Sequence, residues 1–129
     1  SLYLFSNQNR AGDSVGDVYD SIENIAGSAF GDSLGGDSGA NRLMGGGGSD
    51  TLNGENGSDS LFGGAGNDEL NEFFGGGALG SNHLDGGAGT DTAVFEYQLG
   101  GLVVDMGVGR AVLGSTGNEV RFAGIENVS

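Results

Sequence analysis

The chain has no Cys, no Pro and no Lys among its 129 residues. Without thiols there is neither a disulfide scaffold nor a Cys-based zinc or iron–sulfur site. Without Pro, and without a G-X-Y period, a collagen-type helix is excluded despite the 30 Gly. Cationic side chains are scarce: four Arg stand against 18 Asp and Glu, and the formal net charge is −14. Binding to phosphate backbones needs a basic footprint, so no nucleic acid is expected as a partner. An anionic membrane surface is disfavoured by the same repulsion. No apolar run approaches the ~18 residues of a transmembrane helix, so no membrane insertion is expected either. The opening Ser1-Leu2-Tyr3-Leu4-Phe5 lacks the basic and apolar regions of a signal peptide.

A Gly-rich acidic chain ordinarily reads as disordered. Here the glycines and acids are strictly spaced. Cut in nines from Gly27, the sequence gives GSAFGDSLG, GDSGANRLM, GGGGSDTLN, GENGSDSLF and GGAGNDELN. Then come EFFGGGALGSNHLD, five residues too long, and GGAGTDTAV. Position eight is Leu34, Leu43, Leu52, Leu61, Leu70, Leu84 and finally Ala93; position six is Asp32, Asn41, Asp50, Asp59, Asp68, Asn82 and Asp91.

Gly at positions one, two and four is expected to take positive φ and turn the chain tightly. The x-Leu-x tail reads as a short strand with its Leu on one face. Two opposed half-turns make an eighteen-residue coil whose Leu columns meet inside. One Leu per nine residues is a thin core against the entropy of ordering them, so a further staple is required. Asp32, Asp50, Asp68 and Asp91 fall on one coil edge, and Asn41, Asp59 and Asn82 on the other. At the ~4.8 Å strand spacing, neighbouring carboxylates repel by about 1 kcal/mol in water and about 3.5 kcal/mol at an effective dielectric of 20. Columns of hard oxygen ligands among Gly carbonyls call for Ca²⁺.

The pattern G-G-x-G-x-D-x-L-x resembles the calcium-binding nonapeptide of RTX (repeats-in-toxin) proteins, with GGAGNDELN and GGAGTDTAV as near-perfect copies. The resemblance spans residues 27–94 and implies an all-β fold, a right-handed parallel β-roll with eighteen-residue coils and calcium along both edges. It also implies the donors. The earlier coil gives carbonyls from positions two and four and its carboxylate; the later coil gives carbonyls from positions one and three and its own carboxylate. One site then takes Gly46, Gly48 and Asp50 with Gly63, Ala65 and Asp68. A second takes Gly64, Gly66 and Asp68 with Gly86, Ala88 and Asp91. A third takes Ser28, Phe30 and Asp32 with Gly45, Gly47 and Asp50, weakened by Phe30 in a glycine position. On the other edge Asp37, Gly39 and Asn41 face Gly54, Asn56 and Asp59. A site at Asp59 and Asn82 is weakest, because the insertion displaces its partner glycines. Asn41 and Asn82 keep an oxygen but lose a charge. About four to five Ca²⁺ ions follow from this donor count.

The flanks extend the resemblance. Tyr19–Ile25, YDSIENI, recurs as Phe122–Val128, FAGIENV, and Leu2-Tyr3-Leu4 matches Leu102-Val103-Val104. Glu23 occupies position six ahead of Asp32 and is added to the metal ligands; Glu126 holds the equivalent place at the far end. The chain divides into a flank and lead-in coil (1–26), the roll (27–94) with an insertion near 72–80, and a C-terminal β flank (95–129) resembling the start of a next module. It is either a piece of a tandem array or a protomer with matched ends, whose open last coil would stack head to tail.

Other motifs carry less. His83, at position seven, is expected to face solvent, and no Ser-His-Asp arrangement is read. GGGGSDTLN lacks the Lys and the helix of a P-loop. Asp13, Asp17 and Asp20 lack the Gly and terminal Glu of an EF-hand. Thr51, Thr90 and Thr92 make no ladder of the kind an ice-binding face needs. Phe73-Phe74 either folds over the coil edge or meets a partner. The expected function is a non-enzymatic calcium module, secreted or at the cell surface, structural, adhesive or matrix-forming, and folding on calcium after secretion. The alternative is an accessory module of a secreted protease, lipase or alginate epimerase, aiding export or holding extracellular polysaccharide.

Overall fold

The architecture follows from a computed structural model, which describes residues 2–3, 24–74, 81–97, 102–105, 110–113 and 118–129, with side chains for 24–72, 81–95 and 120–129. Among the described residues there is no helix, and so none long and apolar enough to cross a membrane. One sheet holds, in order, β1 (Leu2–Tyr3), β3 (Ser33–Gly35), β5 (Thr51–Asn53), β7 (Glu69–Phe74), β9 (Thr92–Tyr97) and β13 (Asn127–Val128). The other holds β2 (Asn24–Ala26), β4 (Arg42–Gly47), β6 (Ser60–Ala65), β8 (Asn82–Ala88), β12 (Asn118–Ala123), β11 (Arg110–Leu113) and β10 (Leu102–Asp105). From β2 to β9 the chain alternates between the sheets, pairing parallel within each, and so forms the expected parallel β-roll.

The nine-residue period sets the register. Leu34 pairs with Leu52 and Leu43 with Leu61, one eighteen-residue coil apart. Leu61 pairs with Leu84 and Leu70 with Ala93, so the five extra residues leave the ladder in step. Alternation along the short strands turns one residue in two inward. Leu43, Leu52, Leu61, Leu70, Leu84 and Ala93 are completely buried and Leu34 nearly so; Ile25, Phe95, Val120, Phe122 and Ile125 extend the core. Each such Leu contributes about 2 kcal/mol by burial.

Glycine has two separate uses in the turns. At positions two and four it takes positive φ, as at Gly64 (111°) and Gly66 (140°). At position one the expectation of positive φ fails: the requirement there is room. A Cβ on Gly63 would press on Asp68 Oδ2 and lie 2.6 Å from the carbonyl oxygen of Gly86 in the next coil.

The C-terminal flank departs from the expected open end. β12 continues the roll, with Phe122 opposite Leu84, but β11 and β10 add to its outer side antiparallel. That sheet edge is therefore covered by a hairpin instead of standing free. The matched flanks are also placed differently: Leu2–Tyr3 pairs parallel with β3, while Leu102–Asp105 pairs antiparallel with β11. Ile25 enters one sheet and its counterpart Val128 the other. The insertion is shorter than its sequence bounds, because β7 runs to Phe74 and pairs with β9 up to Tyr97. The remainder of the insertion and the Phe73 and Phe74 side chains lie outside the described residues.

Candidate metal centre

Each coil edge is a column of carboxylates threaded by backbone amides. The amide of Asp32 donates to Asp50 Oδ1 at 2.7 Å, Asp50 to Asp68 Oδ1 at 2.9 Å, and Asp68 to Asp91 Oδ1 at 2.8 Å. Asp91 then donates to Glu126 Oε2 at 2.8 Å, so Glu126 does fill position six of the last coil. On the opposite edge Asn41 donates to Asp59 Oδ1 at 2.8 Å and Asp59 to Asn82 Oδ1 at 2.9 Å. Both expected columns are therefore real, and the second spans the insertion.

One oxygen of each carboxylate is held in this way and the other is left over. Asp50 Oδ2, Asp59 Oδ2, Asp68 Oδ2 and Asp91 Oδ2 are buried without a hydrogen-bond partner. A buried charged oxygen without a partner is costly. Desolvation accordingly raises Asp50 and Asp68, reinforced by the neighbouring carboxylates of the column, and pushes Asp59 up to about 7.

Each orphaned oxygen lines a small cradle over the position-one glycine. A Cβ built on Gly45 would meet Asp50 Oδ2 and, at 2.7 Å, the Gly63 carbonyl; one on Gly86 would meet the Gly124 carbonyl and, at 2.6 Å, Asp91 Oδ2. Among the described residues no three acidic or His side chains converge, so a cation held here draws most of its oxygens from the backbone. Hard anionic oxygens beside carbonyls, in a flexible turn, suit Ca²⁺, which takes about 6–8 oxygens, better than an all-waters Mg²⁺ shell. The residues present fit calcium.

The predicted carbonyl donors stack as expected. Gly46 lies opposite Gly64 and Gly47 opposite Ala65. The Gly46 and Gly48 carbonyls face the Cα atoms of Gly64 and Gly66, and the Gly39 carbonyl faces that of Gly57. The Ala65 and Ala88 carbonyls accept ladder bonds from Gly48 and Gly66 at 2.9 and 2.8 Å, leaving each a second lone pair. The Ser28 carbonyl is engaged likewise by the Gly47 amide at 2.9 Å. Asn56 is half-buried in its turn, and Phe30 is 79% exposed.

Asp32 is a poorer ligand for a reason the sequence reading missed. Its Oδ2 accepts from the Ser28 hydroxyl at 2.8 Å and the Ser28 amide at 2.6 Å, and these bonds hold its pKa below the usual value. Asn41 turns its oxygen toward the Gly36 cradle and accepts from the Asp37 amide at 2.8 Å, while Asp37 Oδ1 accepts from the Gly39 amide at 2.7 Å. Glu23, Asp13, Asp17 and Asp20 lie outside the described residues. His83 is exposed, edge-on to Phe62 at 5.8 Å. The strand row through Thr51 reads Ser33, Thr51, Glu69, Thr92, Asn127, so Glu69 breaks any threonine ladder.

Missing from the expected ligands is Glu72. Its side chain is fully buried, Oε1 has no partner, and Oε2 accepts from Asn82 Nδ2 at 2.8 Å. Burial, reinforced by Asp59, raises its pKa well above the ordinary value. The signal was present: residue 72 stands eighteen after Gly54, where the period calls for a position-one glycine.

Stacked coils, one-Leu columns and edges of half-satisfied carboxylates define a calcium-binding β-roll. Residues 35–70 and 74–93 match the family model of the RTX calcium-binding nonapeptide repeat, in four copies. No curated protein matches the chain.

Proposed function

We propose that this chain is a secreted or surface-exposed, non-enzymatic calcium module, structural or adhesive, whose roll assembles when it meets extracellular calcium. The observation that carries this reading is the set of four buried aspartate oxygens without partners on the coil edges. Extracellular calcium modules bind with dissociation constants of ~10⁻⁴–10⁻³ M. At ~1 mM calcium and ~0.1 mM affinity each site adds about 1.4 kcal/mol, so four give roughly 5–6 kcal/mol, comparable to the stability of a small domain. At cytosolic calcium that contribution vanishes and the columns repel. Circular dichroism in chelator and in millimolar calcium tests the proposal: a coil-like spectrum turning β-rich with calcium, and not with equal magnesium, is expected. A spectrum that is β-rich at neutral pH in excess chelator overturns it. For self-association at the C-terminal end of the roll, this reading offers the edge of β13, which ends its sheet among the described strands. Light scattering at millimolar calcium tests that contact.

A second reading has its own support. Arg42, Ser60, His83, Arg121 and Arg110 form one row across β4, β6, β8, β12 and β11, gathering three of the four arginines and the one histidine of an acidic chain. The Arg42 guanidinium stacks over Phe62, 4.7 Å from the ring centre. Such a row suits the carboxylates of an acidic polysaccharide, as an accessory module of a secreted enzyme would need. Retention on immobilised polyuronate, lost in Arg42→Ala with the calcium melt unchanged, would favour it.

A further inference from the structure

We infer that Glu72 is a calcium ligand outside the nonapeptide code, forming with Asp59 a side-chain-rich site on the second edge of the roll. This rests on the calcium reading of the coil edges and adds a site to it.

Five position-one glycines define the regular cradle. At Gly27, Gly36, Gly45, Gly63 and Gly86 the cradle is walled by the position-six oxygen of the same unit and by a backbone carbonyl of the next coil. Gly54 is the exception. A Cβ there would lie 2.9 Å from Glu72 Oε1, 3.2 Å from Glu72 Oε2 and 3.0 Å from Asp59 Oδ2. The Glu72 carboxylate thus stands where the other coils offer a neutral carbonyl. Two oxygens around that point, Asp59 Oδ2 and Glu72 Oε1, are buried and unpartnered, and Glu72 is 0% exposed. Residue 72 falls between the two segments that match the repeat family.

Asn82 explains the need. Its Oδ1 is taken by the Asp59 amide, as Oδ1 is throughout the columns, so the atom in place of a free Oδ2 is an NH₂ group, which donates. Asn82 thus offers Asp59 no negative oxygen, and at most the second lone pair of Oδ1. Glu72 restores what the Asn removes: a second negative oxygen facing Asp59. Its other oxygen is fixed by the same Asn82 amide, so Asn82 orients the Glu72 carboxylate. The pair of carboxylates then carries the same charge as each Asp–Asp pair of the first edge.

Calcium titration of the full chain by calorimetry tests the assignment, with Glu72→Gln removing the charge and Glu72→Gly restoring the repeat glycine. Both variants should bind one ion fewer than wild type, or bind one ion at least tenfold more weakly, while the sites of the first edge are retained. Unchanged stoichiometry and affinities in both would overturn the assignment and make Glu72 a buried neutral acid. If the variants do not fold, carboxyl ¹³C resonances of Glu-labelled wild type decide: a buried glutamate must shift as calcium is added, and none shifting overturns the inference. A wild-type chain that binds no calcium at all would instead remove the calcium reading as a whole.

Discussion

Acid should replace part of what calcium does. In calcium-free protein burial desolvates Asp50, Asp59 and Asp68, and Asp59 is raised to about 7 from an ordinary value of 3.8. A carboxyl whose folded pKa exceeds its unfolded one binds more protons folded than unfolded between the two values, so stability falls as pH rises through that window. Between pH 5 and pH 7.5 this amounts to about 2.5 kcal/mol for Asp59 alone, taking the unfolded value near 3.9. Asp50, Asp68 and Glu72 are raised too and act in the same direction. Calcium-stripped protein, coil-like at pH 7.5, should therefore gain β-structure at pH 5. In millimolar calcium the sign reverses, because protons then compete with the metal for the same oxygens. The β-sheet signal by circular dichroism in the four conditions reads this directly, and Asp59→Asn isolates one group: it should remove about 2.5 kcal/mol of the calcium-free pH dependence. A calcium-stripped chain no more stable at pH 5, or an Asp59→Asn variant with the full wild-type slope, would refute the reasoning.

Asp68→Ala should lose about 3 kcal/mol of calcium-dependent stability, two shared sites at ~1.4 kcal/mol each, whereas Asp32→Ala should lose less than half of that because Ser28 already occupies the Asp32 carboxylate; paired melts with and without calcium measure both. Gly63→Ala should place its methyl against Asp68 Oδ2 and the Gly86 carbonyl and abolish binding of one ion by calorimetry. Leu61→Ala, fully buried between Leu43 and Leu84, should cost about 2–5 kcal/mol in urea unfolding in calcium, with the ion count retained.

The Leu and Asp columns were legible in the sequence because one period determines both: a nine-residue repeat of two half-turns places residue i over residue i+18. Across the insertion the step grows to 23, and Asp59 still meets Asn82 because the unit resumes in register after the extra residues. Three things were not legible. Position-one glycines looked like φ glycines, since composition does not tell a steric need from a dihedral one; only the neighbouring coil shows the Asp68 oxygen and the Gly86 carbonyl where a Cβ would stand. Glu72 was read as the first residue of an insertion, so its eighteen-residue offset from Gly54 went unused. The antiparallel pair of β10 and β11 lies beyond the nonapeptides, so the nine-residue period carries no information about it.

The amide-to-carboxylate columns have a consequence for how sharply the molecule responds. Asp50 and Asp68 each accept an amide from the preceding coil and donate their own amide to the carboxylate of the following one. An ion that fixes one carboxylate therefore also fixes a coil whose amide orients the next carboxylate. The roll behaves as a one-dimensional lattice with nearest-neighbour coupling along two rails, so occupancy spreads from any filled position to its neighbours. Such a lattice is expected to fill over a narrow span of calcium concentration, as a threshold device and not as a graded buffer.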